Sequence, residues 1–263
     1  MSELSRPAPA VNEPRQALLI DSSPELNRML TDLCYQHDWD IRSAKNNQEA
    51  LELSQSHAFD LIITGERTSG QQDIELLRRL RLVRPHTRLI ILTDEFTPGD
   101  VLNSIRERAF SYFARPFSTE ELVEIVRSAM TTPFWDDGIE ILSATANWVR
   151  LAVRCDLATA DRLIQFYRET SDLPENETER VATAFREMLL NAIEHGGKFD
   201  ASQHVEVSYV RTRRMVLCRV KTLAPVFRLK NSSTALLPIP LTNRFVTLRS
   251  AKPRAYARAA SAF

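Results

Sequence analysis

The last part of this sequence is distinguished by what it lacks. The chain has 263 residues with 34 basic and 34 acidic side chains, yet none of the acidic ones lies in the final 42 residues. At the density of the preceding 221 residues, about six would be expected there. All six glycines also lie at or before Gly197. Composition therefore changes abruptly at Thr222, and residues 222–263 are predicted to be an aberrant, disordered tail.

Cysteine and long apolar runs are scarce as well. Cys34, Cys155 and Cys218 are widely spaced and odd in number, which argues against a disulfide framework or a zinc site and fits a reducing cytosol. No apolar run approaches the roughly 18 residues of a membrane span, and the N-terminus lacks a signal-peptide core. The balanced charge gives no overall attraction to nucleic acid or membrane. We therefore expect a cytoplasmic protein that binds neither.

The first part of the chain, residues 15–132, alternates short apolar runs with helical patterns. Each apolar run is followed by a helix cap or by an apolar period of 3.6 residues. Five such units predict an α/β fold, a doubly wound five-stranded parallel sheet with its functional residues at the carboxyl ends of the strands. Residues 1–14, with three prolines, are predicted to be a disordered leader, and residues 133–138 a linker. The predicted strands are Ala17–Ile20, Asp40–Ala44, Asp60–Thr64, Arg88–Thr93 and Ser111–Ala114.

Three segments of this domain resemble a response-regulator receiver domain. FDLIITGERTSG matches the segment that carries the phosphoacceptor aspartate, and LIILTDE matches the strand that ends in the switch threonine, here Thr93. FSYFARPF matches the last strand, with Tyr112 at the switch aromatic and Arg115 where receivers have lysine. The resemblance extends over residues 15–132 and implies the receiver fold for all of them.

The active site departs from the receiver pattern. Gly65 stands where the phosphoacceptor aspartate should be, and Ser22 replaces one member of an acidic pair of which Asp21 remains. Phosphoryl transfer to a carboxylate requires that nucleophile and enough negative charge to hold Mg²⁺. Glu66 is adjacent, but successive side chains of a strand point to opposite sides. We therefore predict a pseudo-receiver that neither binds Mg²⁺ well nor becomes phosphorylated, and that acts by protein contact.

A second domain is predicted for residues 139–221, around the segment AFREMLLNAIEHGG at Ala184–Gly197. On a helix, Glu187, Asn191 and His195 fall at i, i+4 and i+8 and so lie on one side. Spacing alone leaves two interpretations open. The row is either a solvated polar face followed by a glycine C-cap, or one half of an active site.

The pattern E-x-x-x-N-A-x-x-H-G is similar to the N-box of the histidine-kinase-type ATPases, which include gyrase B, sensor kinases and anti-sigma-factor serine kinases. The resemblance implies that Asn191 holds Mg²⁺ against the nucleotide phosphates and that Glu187 is the general base or orients water. It places Glu194 and His195 beside the phosphates. The order of elements resembles the anti-sigma-factor branch, so the implied fold is an α/β sandwich, here incomplete, and the implied cofactors of the intact form are ATP and Mg²⁺.

The tail does not continue this resemblance. After Lys221 the family pattern is Asp-x-Gly-x-Gly, which contacts adenine, then a lid and a second glycine box. The chain has TLAPVFRLKNSSTALLPIP instead. If one G is restored before the codons ACC CTG GCC CCG GTT for Thr222–Val226, the frame reads Asp-Pro-Gly-Pro-Gly. The same shift makes Arg258–Phe263 compatible with Pro-Gly-Gly-Phe-Gly and then Ile or Val.

We interpret the tail as the product of a single-nucleotide frameshift; the alternative is a divergent basic interaction arm. Because the adenine-side and lid residues are missing, we expect no useful ATP affinity in this polypeptide. The first functional hypothesis is a two-component or partner-switch signalling regulator, in which a pseudo-receiver controls a serine-kinase-like ATP-binding domain. The second is a non-catalytic protein–protein interaction switch. The implied partners are proteins, anti-anti-sigma-like or a kinase, and a homodimer is also open. Nucleic-acid binding has no support from a helix-turn-helix pattern or aromatic interleaving.

Overall fold

The chain forms two compact units, one ending at Gly138 and the other beginning at Ile139. The structure is a computed structural model, and it describes residues 15–20, 22–65, 68–94, 97–132, 138–145, 148–171, 173–211, 215–222 and 244–249. The predicted leader, nearly all of the linker and most of the predicted tail lie outside the described residues, as does Asp21.

The first unit is a five-stranded sheet in the order β2-β1-β3-β4-β5, with every neighbouring pair parallel. This confirms the predicted doubly wound sheet. Its strands are β1 (Arg15–Ile20), β2 (Trp39–Ala44), β3 (Leu61–Ile63), β4 (Arg88–Thr93) and β5 (Ser111–Ala114). Its helices are α1 (Pro24–Gln36), α2 (Asn47–Ser56), α3 (Gly70–Val83), α4 (Pro98–Arg106) and α5 (Thr119–Thr131).

Local sequence sets the helix starts of this unit. Ser23 accepts a hydrogen bond from the backbone N–H of Leu26, and Pro24 occupies the first turn, where its missing N–H costs nothing. The helix α3 begins at Gly70, earlier than the apolar pattern suggests, because Ser69 and Gln72 form a capping box. The helix start matters for the site, since it draws the next residues of α3 toward the carboxyl ends of the strands.

Two arginines hold the end of α5, where the chain leaves the first unit. The Arg15 guanidinium donates to the carbonyl of Met130 at 3.0 Å. Buried Arg88 donates to the carbonyls of Ala129 at 2.8 Å and Thr132 at 3.0 Å. The last carbonyls of a helix have no partner within it and carry partial negative charge, so these cations both satisfy and stabilise the helix end.

The second unit is an antiparallel sheet in the order β10-β9-β8-β7-β6, and two helices pack against it. The ring of Tyr167, on the first of these helices, meets that of Tyr209 on the sheet at 5.7 Å. The strands are β6 (Ile139–Thr145), β7 (Trp148–Arg154), β8 (His204–Arg211), β9 (Met215–Thr222) and β10 (Arg244–Arg249). The helices are α6 (Leu157–Thr170) and α7 (Glu175–Ala192), and a π-helical turn at Ile193–Gly197 follows α7.

The strand β10 corrects one expectation about the tail. It pairs antiparallel with β9, with Arg244 opposite Val220 and Arg249 opposite Met215. The prediction of a disordered segment after Lys221 is therefore wrong for these six residues, because the free edge of β9 offers backbone donors and acceptors that a strand can satisfy.

Candidate functional sites

The first candidate site is the carboxyl edge of the parallel sheet. Gly65 lies just beyond the central strand β3 and is buried. Thr93 ends the neighbouring strand β4 and is fully buried, and Arg115 follows β5. The structure thus brings these three predicted residues to one edge. Ser22 follows β1 at the same edge and accepts a hydrogen bond from the Asn27 side chain at 3.3 Å.

The cation at this edge has a carboxylate partner of its own. The Arg115 guanidinium pairs with Asp94 at 3.2 Å, and both side chains are about half exposed. The guanidinium also lies 5.6 Å from the ring centroid of Phe117. The pair is solvent-screened, so its contribution to stability is small. The pair matters for the charge of this edge, because Asp94, the residue after Thr93, offsets the positive charge of Arg115.

A buried carboxylate that the sequence reasoning missed lies beside this edge. Asp73, in the first turn of α3, has no exposed surface. Its Oδ1 accepts a hydrogen bond from the Asn47 side chain at 2.7 Å, and its Oδ2 lies 2.8 Å from the Thr68 hydroxyl. Burial raises the pKa of Asp73 to about 6, while the hydrogen bonds from Asn47, Thr68 and Thr64 oppose the rise. The signal in the sequence was its place one helical turn before Leu77, on the apolar side of α3.

Thr68 connects Asp73 to the predicted switch threonine. The Thr68 hydroxyl lies 2.8 Å from the carbonyl oxygen of Gly65 as well as 2.8 Å from Asp73 Oδ2. The Thr68 carbonyl accepts a hydrogen bond from the Thr93 hydroxyl at 2.9 Å. We call Asp73, Asn47, Thr64, Thr68 and Thr93 the Asp73 network.

The predicted switch aromatic is packed into the same unit. Tyr112 is fully buried, and a Cβ added at Gly70 would overlap its hydroxyl oxygen and lie 3.2 Å from Cζ. Glycine at the start of α3 therefore makes room for the Tyr112 ring. The aromatic side chain and the Asp73 network both depend on the first turn of α3.

The second candidate site is the N-box segment. Glu187 is exposed and Asn191 half-buried, one turn apart on α7, whose opposite side buries Phe185, Met188 and Leu189. The prediction of a single α-helical row through His195 is wrong at its end, because α7 stops at Ala192. The following π-helical turn carries Glu194 and His195, both exposed, and its wider winding takes them off the α-helical spacing.

The two glycines of the motif are required by packing. A Cβ at Gly196 would overlap Thr222 Cγ2 and lie 2.8 Å from Thr222 Cβ. A Cβ at Gly197 would overlap Cys155 Sγ and lie 2.8 Å from Cys155 Cβ. The π-helical turn thus packs directly against the end of β9 and the residue after β7. Immediately beyond it, Lys198 has a φ of 53°, in the left-handed region that non-glycine residues rarely adopt.

The residues present fit only one side of a nucleotide site. The amide oxygen of Asn191 and the carboxylate of Glu187 are the oxygen donors that Mg²⁺ prefers when phosphates and water complete its shell. At the end of β9 the side chain next to Gly196 is that of Thr222, which is neutral and carries no carboxylate. Across the described residues, no three His, Cys, Asp or Glu side chains converge to hold a metal ion by themselves.

Comparison with known proteins finds one family match in each of the two compact units. Residues 17–127 match the family described as response regulator receiver domain, and residues 149–239 match the histidine kinase-like ATPase domain family. The chain therefore carries a region that matches the receiver domain family, followed by a region that matches the histidine kinase-like ATPase domain family. The second match continues past Lys221. Among the described residues, no helix is long and apolar enough to cross a membrane.

Individual relatives match the receiver part. The chain is 27% identical over 130 residues to the transcriptional regulatory protein TrcR of Mycobacterium tuberculosis, covering 49% of this chain and 51% of TrcR. It thus spans about half the length of that relative. Sporulation initiation phosphotransferase F of Bacillus subtilis is 24% identical over 111 residues, 42% of this chain and 89% of that protein. A solved response regulator from Thermotoga maritima aligns at 22% identity with a TM-score of 0.39, covering 46% of this chain and 100% of that one.

Proposed function

We propose that this protein is a signalling regulator whose receiver domain acts through protein contacts and not through phosphoryl transfer. The observation that carries the proposal is the buried Gly65 beyond the central strand β3, where the receiver resemblance places the nucleophilic carboxylate. A receiver can form an acyl phosphate only on a carboxylate that a phosphodonor reaches. Asp73 is the nearest buried carboxylate by contact, through Thr68, and it is fully enclosed.

The remaining groups of the edge support the same conclusion. Ser22 supplies a neutral hydroxyl where an acidic residue is expected, which reduces the negative charge available to Mg²⁺. Asp94 is accessible, but it is paired with Arg115. The edge therefore keeps the cation and the threonine of a receiver without the groups that accept phosphate.

Incubation of the full chain with acetyl phosphate and Mg²⁺, followed by mass spectrometry, tests this proposal. We expect no addition of a phosphoryl group that is labile to alkali and to hydroxylamine, as an acyl phosphate is. The matched control is Gly65→Asp, alone and combined with Ser22→Asp, which restores the missing carboxylates to the same chain. An acyl phosphate on the unaltered chain would contradict the proposal, whatever the control does.

We further propose that the kinase-like domain of this polypeptide serves as a protein-binding module without useful ATP affinity. The support is the one-sided fit described above: Asn191 and Glu187 on α7, but Thr222 packed on Gly196 at the other side. A bound nucleotide would raise the melting temperature in proportion to the logarithm of its concentration over Kd. We expect no rise with Mg²⁺ and a non-hydrolysable ATP analogue. A rise that Asn191→Ala abolishes would refute this part.

A second function, serine kinase or ATPase activity, is supported for a form with the restored reading frame. The N-box resemblance then makes Asn191 the metal ligand and Glu187 the general base, which must lie within one water of the proton it removes. The family match that runs to residue 239 speaks against a break at Lys221, so sequencing of the gene at that codon comes first. Radiolabelled ATP with candidate anti-anti-sigma partners then compares the two forms. Transfer by the restored form, lost in Glu187→Gln, is the expected result.

A further inference from the structure

The Asp73 network carries a role that does not depend on phosphate. We propose that the Asp73 carboxyl group is a proton-sensitive switch that sets the hydrogen bonding of Thr68 and, through Thr68, that of Thr93. The proposal goes beyond the function proposed above and does not rest on it. The buried carboxyl group of Asp73 is joined to Thr93 through Thr68, so a change in its protonation can reach the end of β4 whether or not the domain is phosphorylated.

The first argument is a count of hydrogen atoms. The Thr68 hydroxyl has one proton but lies 2.8 Å from two acceptors, the Gly65 carbonyl and Asp73 Oδ2. When Asp73 is protonated, its O–H donates to the Thr68 hydroxyl, which is then free to donate to Gly65, so that both contacts are full hydrogen bonds. When Asp73 is ionised, the two acceptors compete for the single Thr68 proton. The geometry of Thr68 therefore differs between the two protonation states.

The second argument is the connection of Thr68 to the rest of the edge. Its carbonyl is the acceptor for the Thr93 hydroxyl at 2.9 Å, and its N–H lies 3.5 Å from the Gly65 carbonyl. A change in how Thr68 bonds to Gly65 and Asp73 thus reaches the end of β4 directly. Asn47 anchors the other oxygen of Asp73 from α2, so the carboxyl group itself is held in place.

The third argument concerns the charges around Asp73. Its pKa is raised by burial to about 6, and the groups that oppose the rise are the neutral Asn47, Thr68 and Thr64. The first turn of α3 favours the anion through the helix dipole but leaves the raised value in place. Glu66 and Arg67, between Gly65 and Thr68, lie outside the described residues. The charged groups on the other adjoining segments of α2, α3 and β4 are Lys45, Glu49, Glu52, Glu75, Arg78, Arg79, Arg81, Arg88 and Asp94.

Several of these charges already have partners away from Asp73. Glu75 pairs with Arg78 and Arg79 on the exposed side of α3. Glu49 accepts from the backbone N–H of Lys45. The histidines of these segments are at the far ends of the helices, where His57 follows α2 and His86 follows α3. A titration near pH 6 at Thr68 is therefore attributable to Asp73.

Methyl NMR of the full chain with labelled threonine tests the switch between pH 4.5 and 8. The Thr68 and Thr93 methyl signals, assigned by Thr→Ser substitution, are expected to shift with one common midpoint near pH 6. Asp73→Asn, which cannot ionise, should leave both signals flat. Asn47→Ala removes a donor to the carboxylate and should move the midpoint upward by about one pH unit.

The matched internal control is Thr159, whose hydroxyl donates to Asp156 at 2.7 Å in the second unit. The Asp156 carboxylate is half-buried. Burial raises its pKa, but hydrogen bonds from Arg154 and Thr159 outweigh that effect and hold the pKa below its usual range, so the Thr159 signal should not move above pH 4.5. Absence of a transition at Thr68 and Thr93, or a transition that persists in Asp73→Asn, would overturn the proposal. If Asp73→Asn does not fold, Asn47→Ala decides the test. A pH midpoint of the Thr68 and Thr93 signals that is the same in Asn47→Ala as in the unaltered chain would then overturn the proposal. Acetyl phosphate labelling is unaffected by these outcomes, so the two proposals fail separately.

Discussion

Replacement of Asp73 by asparagine is expected to stabilise the receiver domain at neutral pH. The substitution keeps the size and one acceptor of the side chain, which preserves the bond from Asn47, and its amide can donate to the Thr68 hydroxyl. What it removes is the cost of ionising a carboxyl group that has no exposed surface. The magnitude follows from the rise of the Asp73 pKa from 3.8 to about 6. About two pKa units at 1.36 kcal/mol each correspond to about 3 kcal/mol.

The sign of the pH dependence is set by the direction of that shift. A carboxyl group whose pKa is higher in the folded than in the unfolded state favours folding most when it is protonated in both. The stability that Asp73 contributes is therefore complete below pH 3.8 and is lost as the pH rises to about 6. The stability difference between Asp73→Asn and the unaltered chain should be near zero at pH 4, increase through pH 5 and level off above pH 6.

Urea unfolding followed by tryptophan fluorescence measures this difference. With Trp135 and Trp148 replaced by phenylalanine, the buried Trp39 reports on the first unit alone. Asp32→Asn, on the exposed surface of α1, is the matched control and should change the free energy of unfolding by no more than about 0.5 kcal/mol at any pH. A difference for Asp73→Asn that is constant with pH, or that decreases as the pH rises, would refute the reasoning.

Three further substitutions test other parts of the fold. Gly197→Ala should destabilise the second unit by about 1–3 kcal/mol in urea unfolding, because its Cβ overlaps Cys155; Cys155→Ala, which removes the nearer atom, should recover part of the loss. Asp156→Ala should cost about 3–5 kcal/mol, since it removes the N-cap of α6 and leaves the buried guanidinium of Arg154 without this carboxylate. The pKa of Asp156 is lowered, so this loss should shrink as the pH falls below 4, and a loss that grows there would contradict the assignment. Arg88→Met should accelerate hydrogen exchange in the last turn of α5 selectively; uniform exchange would show that the two carbonyl contacts do not hold the helix end.

The strands and most helices were predictable because buried positions give the sequence a periodic pattern of apolar residues. Strand β3 and residues 89–92 of β4 are uninterrupted apolar runs, as is typical of strands covered on both faces, and the helices carry their caps in the sequence. Gly65, Thr93 and Arg115 could be placed at one edge because the carboxyl ends of parallel strands meet there. The order of the strands in the sheet came from the structure.

Features that depend on contacts between distant segments were not predictable. Asp73 is polar at a position of α3 that packs inward, and only the approach of Asn47 from α2 shows how its carboxyl group is accommodated. The end of α7 at Ala192 depends on the close packing of Gly196 and Gly197 against side chains of β9 and of the turn after β7. The strand β10 pairs with an edge that the sequence pattern leaves open.

The close packing of Gly196 and Gly197 gives a reason to conserve part of the N-box motif that is independent of catalysis. Any larger residue at either position meets Thr222 or Cys155, so the pair is under a steric requirement that holds whether or not a nucleotide binds. A lineage that loses catalysis would still be selected to keep both glycines, while Glu187, which is exposed, would be released to vary. Among relatives of this protein, variation at position 187 beside an invariant Gly-Gly would therefore mark the chains in which the chemistry has gone and the fold has stayed.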